Sequence, residues 1–337
     1  MIPMKSLSYV LPLRLQDEAD LDELTAYLRT IGDVAEVIVV DGSPDTLFVQ
    51  HSRAWGRLVR HVRPDPRHAS LMGKVAGVMT GVELASHDLV VVADDDVRYD
   101  QRTLARMADL LEGADLVWPQ NYFDPLPWHA AWDTGRTLLN RAAGHDFPGT
   151  LGVRRSTLLD AGGYDGDVMF ENLELRRTIE VAGGRVVTPL DLYVRRSPPT
   201  TEHFFSQRVR QAYDDLAIPG RLALFLAIVP AGAAGLARGR WKAFAGAAAG
   251  IVGLAEIGRR RAGGRAVFPA RASLFAPLWV LERSVTSWMA LWERFARGGV
   301  RYGDGRIRSA ASSYRTLRRT VLKAQPRDER ARRICSA

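Results

Sequence analysis

The stretch LVVVADDDVRYD, residues 89–100, places five apolar residues directly before three consecutive aspartates. The apolar run predicts a buried strand, and in open α/β sheets ligands bind just beyond the carboxyl ends of such strands. Three adjacent carboxylates repel one another, and an unpaired buried charge is costly, so a purely structural role would require a solvated loop. Carboxylate oxygens at a strand end suit a hard divalent cation that carries phosphates. The stretch therefore predicts a phosphate-bearing substrate held through a metal ion.

Strands and helices alternate on both sides of this stretch. Apolar runs predict strands at 6–11, 35–40, 58–62 and 89–93, and apolar residues at helical spacing predict helices at 18–30, 71–86 and 101–111. This alternation is typical of an α/β fold with a doubly wound, mostly parallel sheet. The pattern is less regular after residue 116, where we predict helices at 128–143, 171–182 and 202–216 and a strand at 185–194.

Charge divides the chain into two parts. Residues 1–220 contain 23 Lys and Arg against 32 Asp and Glu, a net charge of −9, whereas residues 221–337 contain 23 against 6, a net charge of +17. The basic part is interleaved with apolar segments, which argues against a nucleic-acid partner and favours an anionic membrane surface. The single Cys335 excludes an internal disulfide framework, and we expect no signal peptide, so the first part should remain in the cytoplasm.

The chain becomes apolar and helical after Pro219. Residues 222–237 and 243–258 are each at the lower limit of length for a bilayer span, and as a hairpin they would return the RRR at 259–261 to the cytoplasmic side. The tryptophan-containing segment 268–295 also carries charges and predicts an interfacial helix. The alternative is a soluble core of Ala- and Gly-rich helices. We therefore predict three regions: 1–218, a membrane-associated helical region at 219–296, and a basic tail at 297–337.

Five segments resemble, in the same order, those of a known enzyme family: SYVLPLRLQDEADLDEL, VIVVDGSPD, GKVAGVMTGVELASHDLVVVADDDV, GVRRSTLLDAGGYDGDVMFENLEL and QRVRQAY. The family is that of the family 2 glycosyltransferases with the A-type nucleotide-sugar-binding fold, and its membrane-attached members, such as ceramide glucosyltransferases, show the greatest similarity. The resemblance covers residues 6–217. It implies that residues 1–218 form a catalytic domain that transfers a sugar from a nucleotide diphosphate sugar, with inversion by direct displacement.

The resemblance assigns residues to the donor site. Asp94 and Asp96 match the Asp-x-Asp pair that holds Mg²⁺ or Mn²⁺ against the diphosphate, where the metal stabilises the departing nucleotide as a Lewis acid. Asp95, between them, contacts the donor sugar or faces solvent. Asp41 matches an aspartate that accepts hydrogen bonds from the nucleobase or ribose, and its alternative role is an ordinary turn. Lys74 matches a basic position that contacts the nucleotide, and its alternative is a solvated helix lysine.

The segment QRVRQAY is similar to the Gln-x-x-Arg-Trp of processive and lipid-directed members. Gln207 and Arg210 preserve the spacing, but Tyr or Gln stands near the tryptophan position. Arg210 is expected to clamp the diphosphate, because its planar fork suits phosphate oxygens, and the alternative is a charged amphipathic helix against the membrane. His203 is a candidate third metal ligand, and its alternative is a structural histidine.

The segment MFENLEL departs from the family. Asn172 stands where family members carry the aspartate that removes the acceptor hydroxyl proton, and an amide cannot take up that proton. Glu171 is the first candidate to replace it, although on a helix its side chain points about 100° away from that of Asn172. Asp167 and Glu174 are the next candidates.

The sequence thus predicts a glycosyltransferase that moves a sugar, from a UDP-sugar, to a lipid hydroxyl at the cytoplasmic membrane face. One alternative is transfer to a polyprenyl phosphate, which is already an anion and needs no strong base. Another is a catalytically silent membrane scaffold with the same fold. The expected partners are the nucleotide-sugar donor, a divalent cation, the lipid acceptor and an anionic membrane, and nucleic acid is excluded.

Overall fold

Strands and helices alternate through the first half of the chain, and helices dominate the second half. The computed structural model describes residues 7–16, 21–303 and 305–324, so the expectations for residues 6, 18–20 and Cys335 lie outside the described part. The strands are β1 (Leu7–Leu13), β2 (Glu36–Asp41), β3 (Arg60–Val62), β4 (Leu89–Ala93), β5 (Val97–Arg98), β6 (Leu116–Val117), β7 (Gln120–Phe123), β8 (Thr150–Arg154), β9 (Val186–Val187), β10 (Tyr193–Arg196), β11 (Val300–Tyr302) and β12 (Gly305–Ile307). The α-helices are α1 (Leu21–Gly32), α2 (Asp45–Trp55), α3 (Gly73–Leu84), α4 (Gln101–Glu112), α5 (Trp128–Ala143), α6 (Arg155–Asp160), α7 (Glu171–Val181), α8 (Thr201–Ser206), α9 (Arg208–Tyr213), α10 (Pro219–Ala237), α11 (Trp241–Arg260), α12 (Ala276–Ala296) and α13 (Tyr314–Ala324).

The chain forms two compact units. The sheet unit comprises Met1–Trp118, Gly149–Thr188 and Ser312–Ala337, and the helical unit comprises Pro119–Pro148 and Pro189–Ala311. These limits differ from the predicted boundary at residue 218, because helix α5 packs against α11 and α12, and α9 packs against α12. Leu138 of α5, for example, shares a buried apolar cluster with C-terminal residues. The helices after residue 219 therefore complete a core that begins in the middle of the chain.

The sheet unit is built on one twisted sheet with strand order β3-β2-β1-β4-β8-β6-β9. Strands β3, β2, β1 and β4 are parallel to one another, whereas β8 runs antiparallel to both β4 and β6. The predicted α/β fold with a mostly parallel sheet is confirmed. Because β1, β2 and β4 are parallel, the polar residues that follow β2 and β4 lie at the same edge of the sheet.

Helix α3 approaches strand β1 closely because Gly81 has no side chain. A Cβ atom at Gly81 would lie 2.3 Å from Cγ1 of Val10, so any larger residue would push the helix off the sheet. The helix begins at Gly73, which places Lys74 in its first turn. The packing of α3 on the sheet thus fixes the position of a lysine beside the carboxyl end of β4.

Four elements differ from the sequence expectations. The expected helix at 202–216 is two short helices, α8 and α9, followed by a 3-10 turn at Asp214–Ala217. Helix α2 begins directly after Pro44, where only a turn was expected, because proline is compatible with a helix start. Strand β8 forms where the pattern was irregular, since its residues Thr150–Arg154 complete the ladder beside β4. The expected strand at 185–194 is two short strands, β9 and β10, with Pro189 between them, a residue that cannot donate to a ladder.

The apolar C-terminal helices are largely exposed. In the part of the chain that the structure describes, α10 is the one helix long and apolar enough to cross a membrane, and only 6% of its apolar window is buried. Helix α11, the second expected span, is long enough but not apolar enough, because Lys242, Glu256 and several glycines lower its mean hydropathy. Helix α12 covers most of the segment predicted to be interfacial.

Candidate functional site

Lys74, Asp94 and Glu171 form a three-membered ion cluster in the sheet unit. The Nζ atom of Lys74 lies 2.6 Å from Oδ1 of Asp94 and 2.6 Å from Oε1 of Glu171. The three residues come from the first turn of α3, the end of β4 and the first turn of α7. A glutamate is favourable at a helix N-terminus but a lysine is not, so the two carboxylates offset the unfavourable place of the lysine.

The charge on Lys74 is held by its two partners. Burial alone would lower the pKa of the Lys74 ammonium, but the carboxylates of Asp94 and Glu171 outweigh burial and raise that pKa well above its ordinary value. Lys74 is therefore a permanent cation and not a proton acceptor at physiological pH. Lys74 is thus an ordered, ion-paired lysine and not the solvated helix lysine that was its alternative, and its contact with the nucleotide stays a prediction.

The aspartate triplet has the character of a cation site. Asp94 and Asp96 are half-buried and Asp95 is exposed. The backbone fixes this turn, because the Asp94 N–H donates to the Gly149 carbonyl oxygen at 2.9 Å, and the Asp94 carbonyl oxygen accepts from Val97 N–H at 3.1 Å. Two carboxylates on one ordered turn are a donor set that suits Mg²⁺ or Mn²⁺. The residues present thus fit the metal that the Asp-x-Asp resemblance implies.

The candidates for the catalytic base differ in availability. Glu171 is engaged with Lys74, and Asn172 follows it, half-buried, in the same helical turn. Asp167 is exposed, and its Oδ1 accepts a hydrogen bond from Leu71 N–H at 2.9 Å, so this carboxylate fastens the segment before α3. Each of these three residues lies on or just before the start of α7, and their catalytic roles stay predictions.

Glu174 has a different environment from the other candidates. Its side chain is fully buried, its Oε2 accepts from Ser312 N–H at 2.6 Å, and burial raises the pKa of its carboxyl group. An enclosed carboxyl group that binds backbone cannot reach an acceptor hydroxyl without a rearrangement. Glu174 therefore stabilises the attachment of the segment before α13.

Asp41, the predicted nucleobase contact, is enclosed at the end of β2. Its carboxylate is fully buried, with Oδ2 lying 2.6 Å from Nδ1 of His51 and 3.0 Å from Nε2 of His61. Its Oδ1 accepts from Ser43 N–H at 2.8 Å. Burial raises the pKa of Asp41, but the hydrogen bonds from His61, Ser43 and His51 outweigh it and hold that pKa well below its usual range. A direct contact with a nucleobase stays a prediction, and it would require one of these partners to move.

His203, Gln207 and Arg210 belong to the helical unit. The Nε2 atoms of His203 and Gln207 are in direct contact, one helical turn apart. The guanidinium of Arg210 lies 5.0 Å from the ring centroid of Tyr302, and Arg210 lines a groove of this unit together with Trp288. Metal ligation by His203, binding of the nucleotide-sugar donor by Gln207 and phosphate binding by Arg210 stay predictions.

Sequence reasoning did not identify three residues around these groups. His51 and His61 surround Asp41. The third residue, Tyr164, is half-buried near the cluster of Lys74, Asp94 and Glu171. Burial raises the pKa of Tyr164, and the negative charge of Glu171 raises it further. The position of His61 could have been predicted from the expected parallel sheet, because β3 pairs with β2 and His61 lies opposite Val39, two residues before Asp41. His51 gave no signal, since helix α2 itself was not predicted.

Comparisons with known proteins agree with this fold. The family model described as glycosyl transferase family 2 matches residues 13–157. No curated protein matches the chain by sequence. The mannosyltransferase PcManGT from Pyrobaculum calidifontis, solved in complex with GDP-Man and Mn²⁺, is similar over 87% of this chain and 89% of its own, with 21% identity and a TM-score of 0.52. TarS of S. aureus, solved with UDP-GlcNAc, is similar over 60% of this chain and 61% of its own, with 17% identity and a TM-score of 0.41.

The family match runs from the last residue of β1 into the first half of α6 and includes the aspartate triplet. The likeness to PcManGT supports the same fold, whereas the likeness to TarS is too distant to support an argument. The resemblance to family 2 glycosyltransferases is thereby confirmed for residues 13–157, whereas the similarity to membrane-attached members stays a prediction. Residues 13–157 thus match the glycosyl transferase family 2 model, and the chain shares the fold of the mannosyltransferase PcManGT.

Proposed function

We propose that this enzyme transfers a sugar from a nucleotide diphosphate sugar, a UDP-sugar, to a lipid acceptor at the cytoplasmic face of a membrane. Asp94 and Asp96 would hold Mg²⁺ or Mn²⁺, and the metal would supply Lewis-acid stabilisation of the departing nucleotide diphosphate. Lys74 would place a fixed positive charge beside Asp94, where the nucleotide phosphates carry negative charge. A neighbour of the same fold was solved with GDP-Man and Mn²⁺, which agrees with a metal-bound nucleotide-sugar donor.

The observation that carries the membrane proposal is the inverted polarity of helix α12. Its exposed face is apolar and includes Trp292 at 63% and Phe295 at 78% exposure. Four of its seven buried residues are polar: Arg283, Ser284, Thr286 and Ser287. A helix in water has the opposite arrangement, with apolar residues inside and polar residues outside. Such inversion is expected where the outer face contacts lipid.

The apolar face of α12 extends along the whole helix. Its members share exposure of at least 39% and spacings of one, three or four residues; they are Leu278, Leu281, Val285, Trp288, Met289, Trp292 and Phe295. Tryptophans on a face that is otherwise aliphatic are typical of segments at the membrane interface. Together with the exposed apolar helix α10 and the net charge of +17 after residue 220, this face supports attachment to an anionic membrane.

A second candidate acceptor is a lipid phosphate. A groove of about 530 Å³ in the helical unit is lined by Arg210, Arg297 and Arg301 together with Trp288 and Trp292. Guanidinium groups suit phosphate oxygens, and the tryptophans belong to the apolar face of α12. Such an acceptor is already ionised and needs no general base, which agrees with Asn172 at the position of the family's aspartate.

The proposed function is tested by incubating membranes that contain the full chain with a panel of labelled nucleotide sugars. We expect label from a UDP-sugar to enter the lipid extract in the presence of Mn²⁺ or Mg²⁺. The Asp94→Ala variant is the matched control, because it removes a metal ligand and leaves the membrane face intact. Label that enters only water-soluble products would contradict the lipid acceptor. Transfer from a GDP-sugar alone would contradict the choice of UDP.

A further inference from the structure

We propose that Asp41, His51 and His61 form a second, buried metal site that prefers Zn²⁺ and is separate from the cation site at Asp94 and Asp96. One ligand atom of each residue lies within 4.8 Å of the other two. The ligands come from three different elements, the end of β2, helix α2 and strand β3. A bound ion would therefore tie this corner of the sheet unit together.

The distances from the Asp41 carboxylate to the two imidazole nitrogens are shorter than those between ligands of a bound zinc ion. The Oδ2 atom of Asp41 lies 2.6 Å from Nδ1 of His51 and 3.0 Å from Nε2 of His61. Zinc binds nitrogen and oxygen at about 2.0–2.2 Å, so two ligand atoms around one tetrahedral ion are about 3.3 Å apart. Oδ2 of Asp41 and each of these two imidazole nitrogens would therefore have to move apart by about 0.3–0.7 Å.

Neighbouring groups orient the ligands as they do around known metal sites. The Nδ1 atom of His61 lies 2.9 Å from Oγ of Ser52, and the Oδ1 atom of Asp41 accepts from Ser43 N–H. When Nδ1–H donates to Ser52, Nε2 of His61 has its lone pair free for a metal ion. When the ion is absent, the other tautomer lets Nε2–H donate to Asp41 and Nδ1 accept from Ser52. The same side chains therefore serve both states.

Charge supports a cation at this place. The Asp41 carboxylate is fully buried, and its contacts within the described residues are Ser43, His51 and His61, with no lysine or arginine among them. A buried carboxylate requires a compensating positive charge. Either an imidazolium or a metal ion can supply it, and a divalent ion would let both imidazoles remain neutral.

The donor set separates the two metal sites by chemistry. Two imidazole nitrogens and one carboxylate favour Zn²⁺, whereas the carboxylates of Asp94 and Asp96 favour Mg²⁺ or Mn²⁺. No further His, Cys, Asp or Glu joins this group in the described ranges, so water would complete the coordination. The metal would engage Oδ2 of Asp41, so the hydrogen bond that the sequence predicted from a nucleobase could be accepted only by Oδ1.

The test uses the full chain purified in detergent, stripped with chelator, loaded with Zn²⁺ and freed of loose metal by gel filtration. We expect about one zinc ion per chain by elemental analysis and a higher melting temperature than that of the stripped protein. The variants His51→Gln and His61→Gln should each lose the bound zinc and the zinc-dependent part of the melting shift. His68→Gln is the matched control, because His68 lies in the same unit but pairs with Glu83.

A second readout does not depend on the variants folding. Co²⁺ loaded into the wild-type chain should give the intense visible absorption of a four-coordinate nitrogen and oxygen site, and Zn²⁺ should displace it while Mg²⁺ should not. Retention of zinc by both glutamine variants, or its loss from the Asp94→Ala variant alone, would overturn the proposal. A wild-type chain that retains no zinc and shows only weak, six-coordinate Co²⁺ absorption would show a hydrogen-bonded cluster and no metal site.

Discussion

The ammonium of Lys74 lies 2.6 Å from the Asp94 carboxylate, at the position where the aspartate triplet would meet a metal ion. The lysine also binds Glu171 at the same distance, so it joins the candidate metal ligand to the candidate base. A cation bound at Asp94 would compete with the ammonium for Oδ1. The cluster thus predicts that metal binding and the freedom of Glu171 depend on each other through Lys74.

Replacing Lys74 with methionine should tighten the binding of Mn²⁺. Two like charges about 4 Å apart cost on the order of 1–4 kcal/mol, so removing the ammonium should improve Mn²⁺ affinity by about tenfold or more. Isothermal titration calorimetry on the full chain measures this directly. Lys74→Arg keeps the charge and should behave as the wild type, and Lys242→Met on exposed α11 is a surface control. Weaker Mn²⁺ binding by Lys74→Met would show that the lysine organises the site and does not compete for it.

The variants Asp94→Ala and Asp96→Ala should each abolish sugar transfer, whereas Asp95→Asn should have a milder effect. Asp94 and Asp96 are half-buried on an ordered turn, and Asp95 is exposed. Transfer is measured at saturating Mn²⁺, and melting temperatures verify that the fold persists, since Lys74 retains Glu171 as a partner in Asp94→Ala. Near-normal turnover by Asp94→Ala in that buffer would exclude this aspartate as a metal ligand.

The parts of the fold that the sequence predicted are those with strong local patterns. The apolar run of β4, the helical spacing of α4 and the aspartate triplet after β4 each follow from neighbouring residues. Strand β8 could not be predicted in the same way, because its pairing with β4 joins residues about 60 positions apart. The Lys74–Glu171 contact spans 97 positions and likewise has no local signal. Asp41 could be placed at a strand end, but its enclosure by two histidines depends on the packing of α2 and β3.

Charges on the apolar face of α12 should weaken membrane attachment. Burial of a large apolar side chain contributes about 1.5–3 kcal/mol, so Leu281→Glu and Trp292→Glu should each lower the partition into liposomes by about tenfold or more. Val49→Glu is the matched control, because Val49 is also an exposed apolar residue but lies on α2 of the sheet unit. Co-sedimentation with phosphatidylserine vesicles measures the bound fraction.

Membrane attachment could instead be purely electrostatic. If high salt alone releases the chain and the two α12 variants bind as well as the wild type, attachment is electrostatic and α12 does not enter the membrane. A fragment that ends at Ile218 is not a suitable test, because it would remove α11 and α12 from contact with α5 and α9.

Stability of the helical unit should fall in acid through Asp133. Burial raises the pKa of Asp133, but Arg136 and Arg208, with Arg208 Nη1 at 3.2 Å, outweigh it and hold that pKa below its usual range. A lowered folded-state pKa stabilises the protein above the unfolded pKa, about 3.9, and this contribution is lost as the pH falls through the folded pKa. Asp133→Asn should therefore lower the melting temperature at pH 7, and the difference from wild type should shrink below about pH 4. A difference that is constant with pH would show that Asp133 acts through packing alone.

The pair Glu171→Gln and Asn172→Asp should decide which acceptor the enzyme uses. If the acceptor is a lipid hydroxyl and Glu171 is the base, Glu171→Gln should reduce turnover by about 10² to 10⁴-fold, and Asn172→Asp should change little. If the acceptor is a lipid phosphate, which arrives deprotonated, Glu171→Gln should be tolerated and Asn172→Asp should weaken acceptor binding through like charge. Because Glu171→Gln also removes one carboxylate from Lys74, the assay must be run at saturating Mn²⁺ with the acceptor KM and kcat measured separately. A large gain of rate in Asn172→Asp would contradict both versions and would identify an enzyme whose family base has been lost.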